Sequence, residues 1–156
     1  LHIYQQARPE QIDLLQKRYV DLGVTAQLRP FFSDVPQLLG NSHLVICRAG
    51  ASSVAELAAI GRPALLLPLP NAMDDHQRVN ALQMQDVGGG ICLDEKSVSA
   101  AALATRLIQL LGAPKTLAQM AKSARSLASP DAAKLIAALA EQLVGASTSK
   151  PTGASA

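Results

Sequence analysis

The stretch "CRAGASSVAELAAIGRPALLLPLP", residues 47–70, decides how this chain is read. An apolar run over residues 43–47 enters it as a strand and stops at a turn of small residues, Arg48-Ala49-Gly50-Ala51-Ser52-Ser53. A helical segment over 51–60 follows, Gly61 stops it, and a second apolar run over 64–67 reads as another strand. Strand, turn, helix and strand make one βαβ unit, and such units build parallel sheets covered by helices on both faces.

The same alternation continues on either side. Residues 1–5 alternate like a strand, and Pro9 opens a helix whose apolar positions Ile12, Leu15, Tyr19 and Leu22 recur at three- and four-residue intervals until Gly23 ends it. A short strand is expected over 27–31, and Asp34 is expected to cap a brief helix over 35–39. Downstream, Pro68 and Pro70 forbid regular pairing and open a loop, "PLPNAMDD". Asp75 is expected to cap a helix over 76–87 that the glycines 88–90 terminate, before a last strand over 91–93. Helices over 98–111, 114–127 and 130–144 complete one domain, 1–144, and the Ser/Gly/Ala-rich residues 145–156 read as a disordered tail. The class is α/β: a Rossmann-like, doubly wound parallel sheet with helices on both faces and ligands outside the carboxyl ends of its strands. The loops at 31–34, 48–53 and 68–77 are therefore where chemistry is expected.

Composition narrows the function. The chain has 156 residues, enough to bury a real core, with 49% hydrophobic residues. Aromatics make up 3% and Trp is absent, which disfavours base-stacking platforms and aromatic sugar clamps. A net charge of +2 without a basic run disfavours nucleic acid. Cys47 and Cys92 lie in apolar segments, fit no zinc motif and read as buried free thiols in a reducing compartment. No apolar stretch reaches the roughly 18 residues of a membrane span. The chain begins in a strand-like run rather than with Met, which reads as part of something longer.

The turn at 48–53 is the sharpest chemical signal. Gly50 lets a ligand approach the backbone, and the N–H groups of 51–53 leave a helix start with about half a positive charge behind them, so an anion such as phosphate is favoured. The pattern is neither a P-loop nor a GxGxxG fingerprint, which argues against ATP and dinucleotides. A plain strand-to-helix turn without ligand is the alternative. Glu56 also has two readings. Ser53-Val-Ala-Glu56 matches a capping box, whereas a carboxylate one helical turn beyond a phosphate site suits the paired hydroxyls of a ribose. Asp74 and Asp75 read better as cap and dipole partner than as metal ligands. His76 and Gln77 offer hydrogen bonds for sugar hydroxyls, with a solvated first turn as the alternative; the adjacent Phe31 and Phe32 read either as core packing or as a flat ring lying on a base at the ligand rim. No catalytic triad or glycosidase carboxylate pair is present.

Together these residues resemble the donor-nucleotide half of the MurG family of glycosyltransferases, which add N-acetylglucosamine (GlcNAc) to the lipid-linked muramyl-pentapeptide precursor of peptidoglycan. The resemblance rests on C-R-x-G-A with a Glu six residues after the glycine, then His76-Gln77-x-x-Asn80-Ala81, and extends over residues 1–144. It implies the C-terminal domain of a GT-B fold with its first strand missing, which leaves an exposed edge. It implies UDP-GlcNAc as donor, with Glu56 on the ribose hydroxyls and Gly50, Ala51 and Ser53 facing the diphosphate. Arg48 would support them electrostatically. His76 and Gln77 would contact the sugar hydroxyls with Asn80 close behind, Phe31 would lie against the uracil, and Phe32 would read its edge through backbone N–H and C=O. No metal or cofactor is expected. The general base, the acceptor contacts and the membrane-facing patch would lie in a missing N-terminal domain, so no catalytic residue is expected in this chain. The implied location is the cytoplasmic face of the bacterial inner membrane, held peripherally. A stand-alone donor-binding subunit of a split GlcNAc transferase, and another GT-B enzyme using UDP-galactose or UDP-glucose on a lipid acceptor, are the competing expectations.

Overall fold

The computed structural model describes residues 1–70 and 75–148. Five strands alternate with helices and two further helices close the chain. The strands are β1 (His2–Gln6), β2 (Thr25–Arg29), β3 (Val45–Cys47), β4 (Ala64–Leu66) and β5 (Gly90–Cys92). The helices are α1 (Pro9–Asp21), α2 (Val35–Asn41), α3 (Ala51–Ile60), α4 (His76–Asp86), α5 (Ala100–Leu111), α6 (Pro114–Arg125) and α7 (Ala132–Thr148).

All strand pairings are parallel, but they form two sheets, β1-β2 and β3-β4-β5. No strand pairing joins the two sheets among the described residues. Tyr4 on β1 and Ile46 on β3 are 45% and 48% exposed.

Strand β4 shows why the larger sheet is covered twice. Side chains alternate across a strand, so Ala64 and Leu66 face one layer and Leu65 the other. Ala64 and Leu66 pack with Leu57 and Ala58 of α3, Ala81 and Met84 of α4 and Ala124 of α6. Leu65 packs with Leu110 of α5 and with Leu117 and Met120 of α6. All three β4 residues are fully buried, which is why this segment reads as a continuous apolar run.

The glycine stops behave as expected. Gly61 ends α3 at φ 72°, with its own N–H on the Ala58 carbonyl and the Arg62 N–H on the Leu57 carbonyl. The aspartate caps do not form. Asp34 precedes α2, but Pro36 has no N–H to offer and the Gln37 N–H already bonds the Asp34 carbonyl, so the carboxylate caps nothing. Asp75 sits at φ 51°, outside the extended backbone a capping residue needs, and its carboxylate turns toward Arg78 at 3.9 Å. Helix α5 starts later than expected because Ser99 caps it, its Oγ accepting from the Ala102 N–H at 3.1 Å. Helix α7 runs four residues past the expected boundary at 144. The rest of the expected tail, 149–156, lies outside the described residues, as do Asn71 and Asp74 of the loop before α4.

Candidate nucleotide-sugar site

The turn at 48–53 becomes the junction of β3 and α3, at the carboxyl end of the sheet. Gly50 stands immediately before the helix in extended backbone, and no side chain caps this end, so the first N–H groups of α3 have no intrahelical partner. Ala51 and Ser52 are exposed and Ser53 is half-buried. A Cβ on Gly50 would meet only the Ser53 hydroxyl, at 3.8 Å, so the fold itself does not require glycine there.

Glu56 lies one turn further along α3, exposed and without a hydrogen bond or ion pair among the described residues. The capping-box alternative is therefore not formed, and the carboxylate is free for a ligand.

Helix α4 brings three more expected residues alongside. His76 is exposed at its first turn. Gln77 accepts through Oε1 from the Leu69 N–H at 3.0 Å, which leaves its amide N–H groups available. Asn80 donates through Nδ2 to the Ala49 carbonyl at 3.0 Å and so ties α4 to the β3–α3 turn, while its Oδ1 and second N–H have no partner among the described residues. An open cleft of about 280 Å³ between α3 and α4 is lined by Ala51, Val54, Ala55, Ala58, Asn80 and Gln83. Glu56 and His76 are exposed and Gln77 is half-buried, and none of the three lines this cleft.

The two phenylalanines separate cleanly. Phe32 is buried, with the Arg29 guanidinium 5.6 Å from its ring centroid, whereas Phe31 is 70% exposed after β2. Only Phe31 has a free ring. Arg48 has partners that the sequence reading did not include: both terminal nitrogens bond Glu95, at 2.6 and 2.9 Å. Glu95 follows β5. The rule that ligand loops follow strands is the signal in the sequence that points to residues 94–99.

Cys47 is free and half-buried, and burial, aided by the Glu56 charge, pushes its thiol up to about 11. Among the described residues no cluster of three metal-ligating side chains occurs, and no helix is long and apolar enough to cross a membrane.

Residues 1–136 match the model of the glycosyltransferase family 28 C-terminal domain. The chain belongs to this family. Its relatives include two proteins named UDP-N-acetylglucosamine--N-acetylmuramyl-(pentapeptide) pyrophosphoryl-undecaprenol N-acetylglucosamine transferase. The one from Rhodospirillum rubrum is 48% identical over 89% of this chain and 36% of the relative. The one from Paramagnetospirillum magneticum is 46% identical over 93% of this chain and 38% of the relative. The chain thus spans under two-fifths of either length. Among solved structures, MurG of Acinetobacter baumannii superposes with a TM-score of 0.84 at 33% identity, over 91% of this chain and 43% of that one. The expected α/β GT-B half is therefore the observed fold. The rhamnosyltransferase SpnG, at 21% identity and a TM-score of 0.54, shares the fold alone.

Proposed function

We propose that this chain is the UDP-GlcNAc-binding half of an inverting glycosyltransferase that transfers GlcNAc to lipid-linked muramyl-pentapeptide in peptidoglycan synthesis. The observation that carries the reading is the pairing of an uncapped helix start at Gly50 with an unpartnered carboxylate, Glu56, one turn beyond it. The names of the family 28 relatives supply the donor and acceptor classes.

In this reading the α3 N–H groups receive the diphosphate, Glu56 accepts from both ribose hydroxyls, and the exposed Phe31 ring lies on the uracil. His76 and the free amide of Gln77 meet the GlcNAc hydroxyls. The acceptor hydroxyl attacks the anomeric carbon and forms a C–O bond with inversion. The bond to the diphosphate oxygen breaks, and UDP leaves. The acceptor's proton goes to a general base outside this chain. Charge grows on the departing diphosphate, where the helix start is already oriented to stabilise it, so the site is read as working without a metal. Contact with the acceptor and with the cytoplasmic face of the inner membrane belongs, in this reading, to the rest of the protein.

Calorimetric titration tests the assignment. UDP-GlcNAc is expected to bind more tightly than its 4-epimer UDP-GalNAc, and Glu56→Gln to weaken binding by about tenfold or more through loss of charge-assisted bonds. Because Glu56 has no partner to lose, the melting temperature of that variant should not move. Unchanged affinity in Glu56→Gln sinks the reading, and chelator-sensitive binding sinks its metal-free part.

A further inference from the structure

One side chain fastens three of the loops that surround the site. Arg48 follows β3, and its Nη1 donates to the carbonyls of Leu67 at 3.1 Å and Pro68 at 3.4 Å, which follow β4. The same nitrogen donates to Glu95 Oε2 at 2.6 Å, and Nη2 donates to Glu95 Oε1 at 2.9 Å, in the loop after β5. The carboxylate contact is two-pronged, a geometry that guanidinium provides and ammonium does not. Hydrogen bonding to Arg48 also holds the Glu95 carboxyl below the usual carboxylate range.

The two side chains are 45% and 41% exposed, a setting in which an ion pair adds little to global stability. Its effect is instead geometric. The backbone held at Leu67 and Pro68 continues to Leu69, whose N–H reaches Gln77, so the strap controls where the first turn of α4 stands. A guanidinium already matched by a carboxylate and two carbonyls also presents little net charge to a diphosphate.

We propose that Arg48 and Glu95 form a positioning pair: Glu95 holds the guanidinium on the Leu67 and Pro68 carbonyls, which sets His76 and Gln77 against the sugar of the donor, and Arg48 does not itself bind the diphosphate. The proposal rests on the nucleotide-sugar reading above.

The test titrates UDP and UDP-GlcNAc into the wild-type chain, Glu95→Gln, Arg48→Gln, Arg48→Lys and the double variant Arg48→Gln/Glu95→Gln. Positioning predicts that each single variant weakens UDP-GlcNAc by about tenfold and UDP by no more than about twofold. The double variant should be no worse than either single one, because the residues act as a unit. Melting temperatures should stay close to wild type. A direct diphosphate ligand gives the opposite sign: Glu95→Gln would release the guanidinium and tighten UDP. Tighter UDP binding or unchanged UDP-GlcNAc binding in Glu95→Gln overturns the proposal, as does an equal loss for UDP and UDP-GlcNAc. A carboxyl NMR titration checks the pair without ligand. Glu95 should titrate below the ordinary range in wild type and return to it in Arg48→Gln; an ordinary wild-type value overturns the pair. If wild type binds neither nucleotide while Glu95 titrates low, the nucleotide-sugar reading has failed and the donor role falls with it, leaving a loop fastener.

Discussion

Gly50 separates fold from function at the scale of one residue. Its φ of −60° suits any side chain, and the nearest atom to an added Cβ is a hydroxyl at 3.8 Å. A methyl there would instead occupy the space in front of the free α3 N–H groups. Gly50→Ala is therefore expected to leave the domain as stable or raise its stability by about 0.4–1 kcal/mol. UDP affinity should fall by about tenfold or more as the donors of the helix start are obstructed. Denaturant unfolding and calorimetry on the same variant check both halves. Cys47 makes a pH prediction. Its thiol ionises near 9.0 when free and at about 11 here, so the neutral form is favoured in the fold. The associated stability is complete below pH 9.0 and is lost as pH rises through about 11. At pH 8 the thiolate population is roughly 100-fold below that of a free thiol, and alkylation should slow by a similar factor, as mass spectrometry can follow. Glu56 was legible only as two alternatives, because a capping box and a ribose ligand use the same residue at the same spacing. Whether the carboxylate turns back depends on backbone geometry that spacing does not encode.

At the scale of elements, prolines and glycines were dependable markers because their constraints are local. Pro9 at the start of α1 and Gly61 after α3 act through φ and the lost or freed N–H alone. The aspartates were less dependable, since a cap also needs an extended backbone and an unoccupied donor. Strand β2 was expected two residues late, at 27–31. Pro30 cannot donate to a ladder, and the register His2↔Thr25 through Gln6↔Arg29 ends just before it. The junction of α4 and β5 is tightest at Gly89. A Cβ there would lie 2.6 Å from the Ala124 Cα and 2.7 Å from the Met84 sulfur, both in the core. Backbone on one side cannot yield as a flexible side chain could. Gly89→Ala should cost about 2–3 kcal/mol, the upper end of overpacking effects, measured by urea unfolding.

At the scale of the whole molecule, the described residues form two parallel sheets, β1-β2 and β3-β4-β5, and the core around β4 is covered on both sides. In the proposed reading, the donor residues stand on the surface of one half of a transfer site, with no general base among the residues assigned to it. The 156-residue chain alone is therefore expected to bind UDP-GlcNAc weakly and to transfer nothing. Radiolabelled GlcNAc appearing in a lipid-linked acceptor with this chain as the sole protein would overturn that expectation. The sequence by itself determined the βαβ alternation, the small-residue turn and the ends of α3, because periodicity, glycine and proline act within a few residues. Only the tertiary structure decided that Glu56 stays unpaired, that Asn80 braces the turn, and that Arg48 reaches a carboxylate 47 residues away. Such partners are chosen by which strands lie side by side, and strand adjacency is a property of the packed sheet rather than of any local spacing.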